Sequence, residues 1–387
     1  MNEIQSSIYS FLKHNLSFVP TEYWLPISVA LGTIIGIMLV VGRVTSAIVG
    51  LHTLVTKFFR KKKVVPVISP DPARVLRAVW LRDRNVANAE GPSPPKTEVP
   101  IISFLNMKGG VGKTTLAANI GAHFHHEGAR VLYIDFDYQG TLSLMVASTA
   151  NQDRLENNSY KLLQNKSYRE VSSSIHRFSS LPNIGLFAAH YVLFRDEMEL
   201  FANWAANNST YDIRYALKHI LHSDDCSKDW DVIVIDCGPR FTTSTINALC
   251  ASTHVVVPAI LDEPSAQAVG YLSKELDDHR LELFPDLKLL GVIPTMIAQD
   301  PKHKDEPTFN DVEEEQLGTV ADKVAETWGD GDFVLREARI PRRAPISKNA
   351  DKIAYTVDGE AKRVFGRAAD ILLERLGHEG FRTSWNN

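Results

Sequence analysis

A short apolar run, residues 101–105 (IISFL), leads into Asn106-Met107-Lys108-Gly109-Gly110-Val111-Gly112-Lys113-Thr114-Thr115, and a stretch with helical character, residues 114–126, follows directly. Nothing else in the chain restricts its fold as much. A strand, a glycine-rich turn and a helix N-terminus together make a nest of backbone N–H groups for phosphate oxygens, and larger side chains in the turn would block the approach. In such a nest Lys113 can bridge the β- and γ-phosphates of a nucleotide, and the Thr114 hydroxyl can ligate Mg2+. The spacing departs from G-x-x-x-x-G-K-[ST]. Met107 stands at the first glycine, and a second lysine, Lys108, follows it.

From about residue 100 onward, strand-like and helix-like stretches alternate, the pattern of an α/β fold whose mostly parallel sheet carries helices on both faces. Strands are expected at 101–105, 131–134, 184–188, 232–235, 254–258 and 289–294, with helices notably at 114–126 and 213–222. Asp135 and Asp236 each end an apolar strand at its carboxyl end, where ligands of open α/β sheets gather. Either could instead cap the helix that follows. The last helix, 360–376, carries Val364, Phe365, Ala368, Ile371, Leu372 and Leu376 on one face and is expected to pack against the domain.

Four segments in order resemble the deviant Walker A ATPases of the ParA/MinD family, a P-loop NTPase group. They are KGGVGKTT at 108–115, VLYIDFDYQG at 131–140, DVIVIDCGP at 231–239, and the strand at 254–258, with Ile340-Pro341-Arg342 matching a short motif near the nucleotide base. The likeness runs from about residue 101 to 376. It implies an ATPase converting ATP and water to ADP and phosphate, slow and partner-stimulated, in which two subunits sandwich two ATP molecules with Mg2+. By that resemblance Lys108, Lys113 and Asp137 are the catalytic candidates, with Lys108 reaching the partner's phosphates and Asp137 positioning the attacking water. Lys108, Gly109, Gly110, Val111, Gly112, Lys113, Thr114, Thr115 and Pro341 would contact the nucleotide, and Thr114, Asp135 and Asp236 would hold the metal. Tyr138, Thr141 and Cys237-Gly238-Pro239 depart from the family pattern and put switch behaviour and partner surface in question.

Residues 23–42 (YWLPISVALGTIIGIMLVVG) contain no charge, and twenty helical residues at about 1.5 Å each span the roughly 30 Å of a bilayer core. The composition supports an anchor at this end. The chain of 387 residues has a net charge of −4, yet residues 1–63 hold seven basic and two acidic residues, leaving −9 for the remainder. Arg43, Lys57 and Arg60 to Lys63 all follow the span, which the positive-inside rule reads as amino terminus outside. The expected layout is an external segment 1–22, a transmembrane helix with basic juxtamembrane tail 23–63, a linker 64–99 containing a short helix at 72–84, and an ATPase domain 100–387. This places the protein as single-pass in a bacterial inner membrane, with the lipid bilayer as one partner. Gly32 and Gly36 would let two such helices approach closely.

Smaller features are weighed the same way. His123, His125 and His126 lack an i, i+4 pair and read as a solvated or half-buried face rather than a metal site. Three cysteines cannot close a disulfide framework and suggest a reducing compartment. Cys237 reads as a small apolar residue. Arg336, Arg339, Arg342, Arg343 and Lys348 form a basic patch able to hold DNA phosphates, set against nearby Asp305, Glu306, Asp311, Glu313, Glu314 and Glu315. The function that absorbs most of these observations is a membrane-anchored, ATP-dependent dimerisation switch that positions or recruits a protein partner. Alternatives are a DNA-binding partition ATPase, a nucleotide-gated scaffold, or a bacterial tyrosine kinase, which joins membrane helices to the same motifs but usually carries a tyrosine cluster absent here.

Overall fold

The computed structural model describes residues 10, 27–31, 79–81, 97–298, 309–342 and 351–377. The chain divides into two units, Met1–Pro70 and Asp71–Asn387.

In the first unit, residues 27–31 are helical. Among the described residues no helix is long and apolar enough to cross a membrane. This overturns the expected single-pass membrane placement. The rest of 23–42, the Gly32/Gly36 pair and the basic run at 60–63 lie outside the described residues, as does the 72–84 helix apart from 79–81.

The second unit is an α/β sandwich. Its strands are β1 (Ile101–Phe104), β2 (Val131–Phe136), β3 (His176–Phe178), β4 (Leu181–Phe187), β5 (Val232–Cys237), β6 (His254–Ile260), β7 (Lys288–Ile297) and β8 (Ile340–Pro341). The longer helices are α1 (Lys113–His126), α2 (Thr141–Thr149), α3 (Val192–Ala205), α4 (Thr243–Ala251), α5 (Glu263–Leu283), α6 (Asp311–Trp328) and α7 (Gly359–Arg375). The strands lie in the order β3-β4-β2-β5-β1-β6-β7-β8. All pairings are parallel except β3 with β4. Every strand read from the sequence is present. The three-residue β3 edge and the two-residue β8 are additions, too short to show a strand period.

The central strands are nearly continuous apolar runs because both of their faces are buried. Alternate residues serve two cores. Ile101, Leu132, Ile134, Ile233 and Ile235 face one, together with Trp204 of α3, Ile246 of α4, Val269 of α5 and Leu317 of α6. Ile102, Phe104, Tyr133, Val232 and Val234 face the other, with Leu116 and Phe124 of α1 and Phe365 and Leu372 of α7. The terminal helix therefore packs on the helix that follows the glycine-rich loop, as its apolar face implies.

Local chemistry starts the helices where the strands leave off. Thr242, Asp262 and Asp358 cap α4, α5 and α7 with their side chains, and Asn310 with Glu313 forms a capping box on α6. Trp80, from the stretch read as a linker, is buried against this second unit, stacked on Trp204 at 5.4 Å and 23°. Its carbonyl accepts a hydrogen bond from Arg214 at 2.5 Å.

Candidate functional site

The loop 105–112 leaves β1 at the C-terminal edge of the sheet. Asn106 sets its course. The Asn106 amide donates to the Pro258 carbonyl on β6 at 2.7 Å, and its oxygen accepts the Lys108 N–H at 2.9 Å. From the other side, the Thr295 hydroxyl of β7 donates to the Val111 carbonyl at 2.8 Å. Gly110 and Gly112 have φ of 73° and 86°, a left-handed conformation that glycine adopts without strain. Gly112 is the N-cap of α1 and offers no side chain, so the first N–H groups of the helix face outward as an anion site. A Cβ built on Gly109, Gly110 or Gly112 meets no atom within 4 Å, which leaves room over the loop for a phosphate chain.

Lys113, the first residue of α1, is 7% exposed and donates from Nζ to the Lys108 carbonyl at 3.1 Å. Burial pushes its pKa down, while the charges of Asp236 and then Asp137 draw it back up. Thr114 and Thr115 follow, both half-buried. Lys108 takes a different course. Its ammonium lies against Asp262 and Ser265 at the start of α5.

The register of the sheet places Asp135 beside Asp236 on neighbouring strands, and Asp236 beside Phe104, the last residue of β1. The two carboxylates differ sharply. Asp135 is fully committed: it accepts the Ser143 N–H at 2.8 Å, the Ser143 hydroxyl at 2.7 Å and the Asp137 N–H at 3.0 Å, fastening the 137–143 turn to β2. Burial still raises its pKa to about 7 against these bonds. Both oxygens of Asp236, wholly buried, lack a hydrogen-bond partner. Burial, then the charge of Asp135, pushes its pKa well up, and the facing Thr114 hydroxyl and Lys113 work in the opposite direction. A buried, unsatisfied carboxylate is costly, and a hydrated divalent cation beside Thr114 would satisfy it.

Asp137 sits where two turns meet. Its carboxylate accepts the Gln139 N–H at 3.0 Å, and the position a Cβ would take on Gly238 lies 3.8 Å from its Cγ. Pro341 lies on β8, paired with Ile297 of β7, on the strand that also braces Val111. Cys237 is buried in the core and burial raises its thiol pKa. His123 is buried too, between the Tyr355 hydroxyl at 3.1 Å and Asp370 at 3.2 Å, whereas His126 is exposed. Arg336 pairs with Glu314, and Arg336 and Arg339 both lie over the Phe309 ring. Arg343 and Lys348 of the basic patch lie outside the described residues.

Sequence reasoning missed Ser143, Asp262, Ser265 and Glu197. For Asp262 a signal existed: Asp262-Glu263-Pro264-Ser265 after a strand is a helix-start pattern. Ser265 belongs to the same pattern, whereas Ser143 stands eight residues from Asp135 and Glu197 forty-seven from Ser244, with no local motif that links either pair.

The comparisons agree with this geometry. A family described as an AAA domain matches residues 99–289. The chain is 32% identical over 201 residues to the chromosome-partitioning ATPase Soj of Thermus thermophilus, covering 52% of this chain and 71% of that protein. It is 31% identical over 197 residues to the sporulation initiation inhibitor protein Soj of Bacillus subtilis, covering 51% and 72%. Among solved structures, cobyrinic acid a,c-diamide synthase of Mycobacterium smegmatis, with bound ATP analog and magnesium, matches with a TM-score of 0.53 and 26% identity over 72% of this chain and 96% of that one. An ATP complex of Cyanothece McdA matches with a TM-score of 0.56 at 16% identity over 73% and 98%, a likeness of fold. The synthase structure holds an ATP analog with magnesium, and the open loop, Lys113, Thr114 and the unsatisfied Asp236 fit a nucleotide triphosphate with Mg2+.

Proposed function

This chain belongs to the Soj/ParA family of P-loop ATPases, and on that premise we propose that it hydrolyses ATP and uses the nucleotide to pair two copies of itself and recruit a partner. The unsatisfied Asp236 beside Thr114 and Lys113 carries this reading, because a metal-bound triphosphate supplies what that carboxylate lacks.

In this reading residues 100–387 form the ATPase domain. Backbone N–H groups of 109–115 hold the phosphates, with Lys113 at the β- and γ-positions and Pro341 bordering the base. Thr114 and Asp236 would hold Mg2+, with Asp135 on the neighbouring strand beside them. The bound metal neutralises charge that develops on the transferring phosphoryl group. Asp137, at the junction of two turns, orients the attacking water and accepts its hydrogen bond. Lys108 leaves Asp262 to meet the partner's phosphates, which ties its positive charge to pairing.

Phosphate release by the full chain tests the reading. Turnover should depend on Mg2+ and fall by at least about 100-fold in Lys113→Ala, the scale expected when a group aimed at transition-state charge is lost. ATP should shift the sedimentation of the wild type and leave that of Lys113→Ala unchanged. A wild type that neither binds nor turns over ATP would sink the proposal. DNA binding that rises with ATP and falls with salt would identify nucleic acid as the partner.

A further inference from the structure

The α3 helix reaches both turns that border the expected γ-phosphate. Toward the Asp137 turn, the Phe194 ring packs on Tyr138 with centroids 6.1 Å apart. One turn further along, Glu197 is 5% exposed, and its Oε1 accepts the Ser244 N–H at 2.6 Å and the Ser244 hydroxyl as well. Ser244 lies in the first turn of α4, directly after the 237–242 loop that leads from Asp236.

That loop is tied to α4. The Arg240 carbonyl accepts the Thr242 N–H at 3.0 Å and the Thr245 hydroxyl at 2.7 Å. Whatever fixes the first turn of α4 therefore fixes the loop, and Gly238 of that loop lies beside Asp137, whose Cγ is 3.8 Å from the position a Gly238 Cβ would take. A carboxylate at a helix N-terminus also opposes the positive end of the helix dipole. Glu197 borders an apolar cavity of about 360 Å3 whose walls include Trp80, Phe194, Met198 and Phe241, a low-dielectric setting that strengthens its bonds to Ser244. Burial raises the Glu197 pKa, and the Ser244 bonds work against it.

We propose that Glu197 is a positioning residue for hydrolysis: it holds α4 and the 237–242 loop against the Asp137 turn, so that the two turns meet nucleotide and water in a fixed geometry. This rests on the ATPase reading above. It assigns Glu197 no contact with nucleotide, and its effect belongs in kcat rather than in nucleotide affinity.

The test measures kcat, KM for MgATP and the Kd of a fluorescent ATP analogue on the full chain. Glu197→Met keeps length and burial but removes the acceptor of both Ser244 bonds, and kcat should fall about tenfold, with KM and Kd within about twofold, the scale of lost hydrogen bonds to a charged group. Glu197→Gln retains the acceptor oxygen and should restore kcat to within about threefold of the wild type. Ser244→Ala removes one donor and should give an intermediate kcat. It decides the matter if Glu197→Met does not fold, since a folded Ser244→Ala with wild-type kcat overturns the proposal. So does a Glu197→Met enzyme with wild-type kcat, a kcat loss matched by an equal rise in KM, or a Glu197→Gln enzyme as slow as Glu197→Met. These results leave the ATPase reading intact. A wild type without ATP turnover overturns that reading, and this proposal with it.

Discussion

The Lys108 ammonium lies 2.9 and 3.0 Å from the two carboxylate oxygens of Asp262 and 2.6 Å from the Ser265 hydroxyl. The lysine that distinguishes this loop is therefore held within its own chain, across from the phosphate nest. Partial burial works against the charge of Asp262, yet the bonds from Ser265 and Lys108 bring its pKa below the usual carboxylate range. Asp262 also caps α5 by accepting the Ser265 N–H.

Asp262→Asn keeps the cap, since asparagine serves as well there, and removes the charge pair. With Lys108 released, ATP-driven self-association in sedimentation should require about two- to fivefold less protein, the scale of a partly exposed ion pair. Unchanged or weaker association would show that Lys108 is not held back by Asp262.

Asp236→Asn removes a buried carboxyl group whose ionisation burial opposes. In EDTA the variant should resist urea better than the wild type at pH 8, and the advantage should shrink at pH 5.5. The sign follows from linkage. Burial holds protons on the folded-state Asp236 and Asp135 above the ordinary carboxyl pKa of about 4, Asp135 to about 7. The folded state thus binds more protons than the unfolded one across that window, and stability falls as pH rises through it. Parallel pH profiles for the two proteins would contradict this account. Turnover should be lost in the same variant.

Trp80→Ala empties a buried site between Trp204 and Phe201, whose rings lie 5.4 Å from that of Trp80. The loss should be about 3–5 kcal/mol in urea unfolding, the range for large aromatic truncations in a core. A loss under about 1 kcal/mol would mean that the 79–81 turn contributes no core packing.

Gly112→Ala forces a side chain into a φ of 86°. The strain is about 1–2 kcal/mol, and the new methyl group projects into the space above the loop. Nucleotide affinity, read by fluorescent analogue titration, should fall further than stability does. Equal affinity in the variant would place the phosphates elsewhere.

Much of the site was legible in the primary structure. The run from Asn106 to Thr115 carries its own geometry, because glycines at left-handed positions and a lysine-threonine pair at a helix start leave few other conformations. Asp135 and Asp236 could be placed at strand ends from apolar periodicity, but their division of labour could not. Ser143, eight residues on, occupies Asp135, and nothing local distinguishes Asp236, which is left unsatisfied. The membrane placement rested on uncharged length alone, which is necessary for a span but not sufficient, and among the described residues no helix is long and apolar enough to cross a membrane. The histidine cluster split for a similar reason: Tyr355 and Asp370, more than 200 residues away, bury His123 and leave His126 exposed.

The amino-acid order by itself determined the parallel α/β sheet, the phosphate loop and the family, since each depends on spacing within a few residues of one strand or turn. Only the tertiary structure decided that Lys108 pairs with Asp262, that Glu197 braces Ser244 and that Trp80 is buried under α3. Each of these joins groups between 47 and 154 residues apart or turns on a fit between distant side chains, and such partners meet only after the sheet has brought its strand ends to one edge.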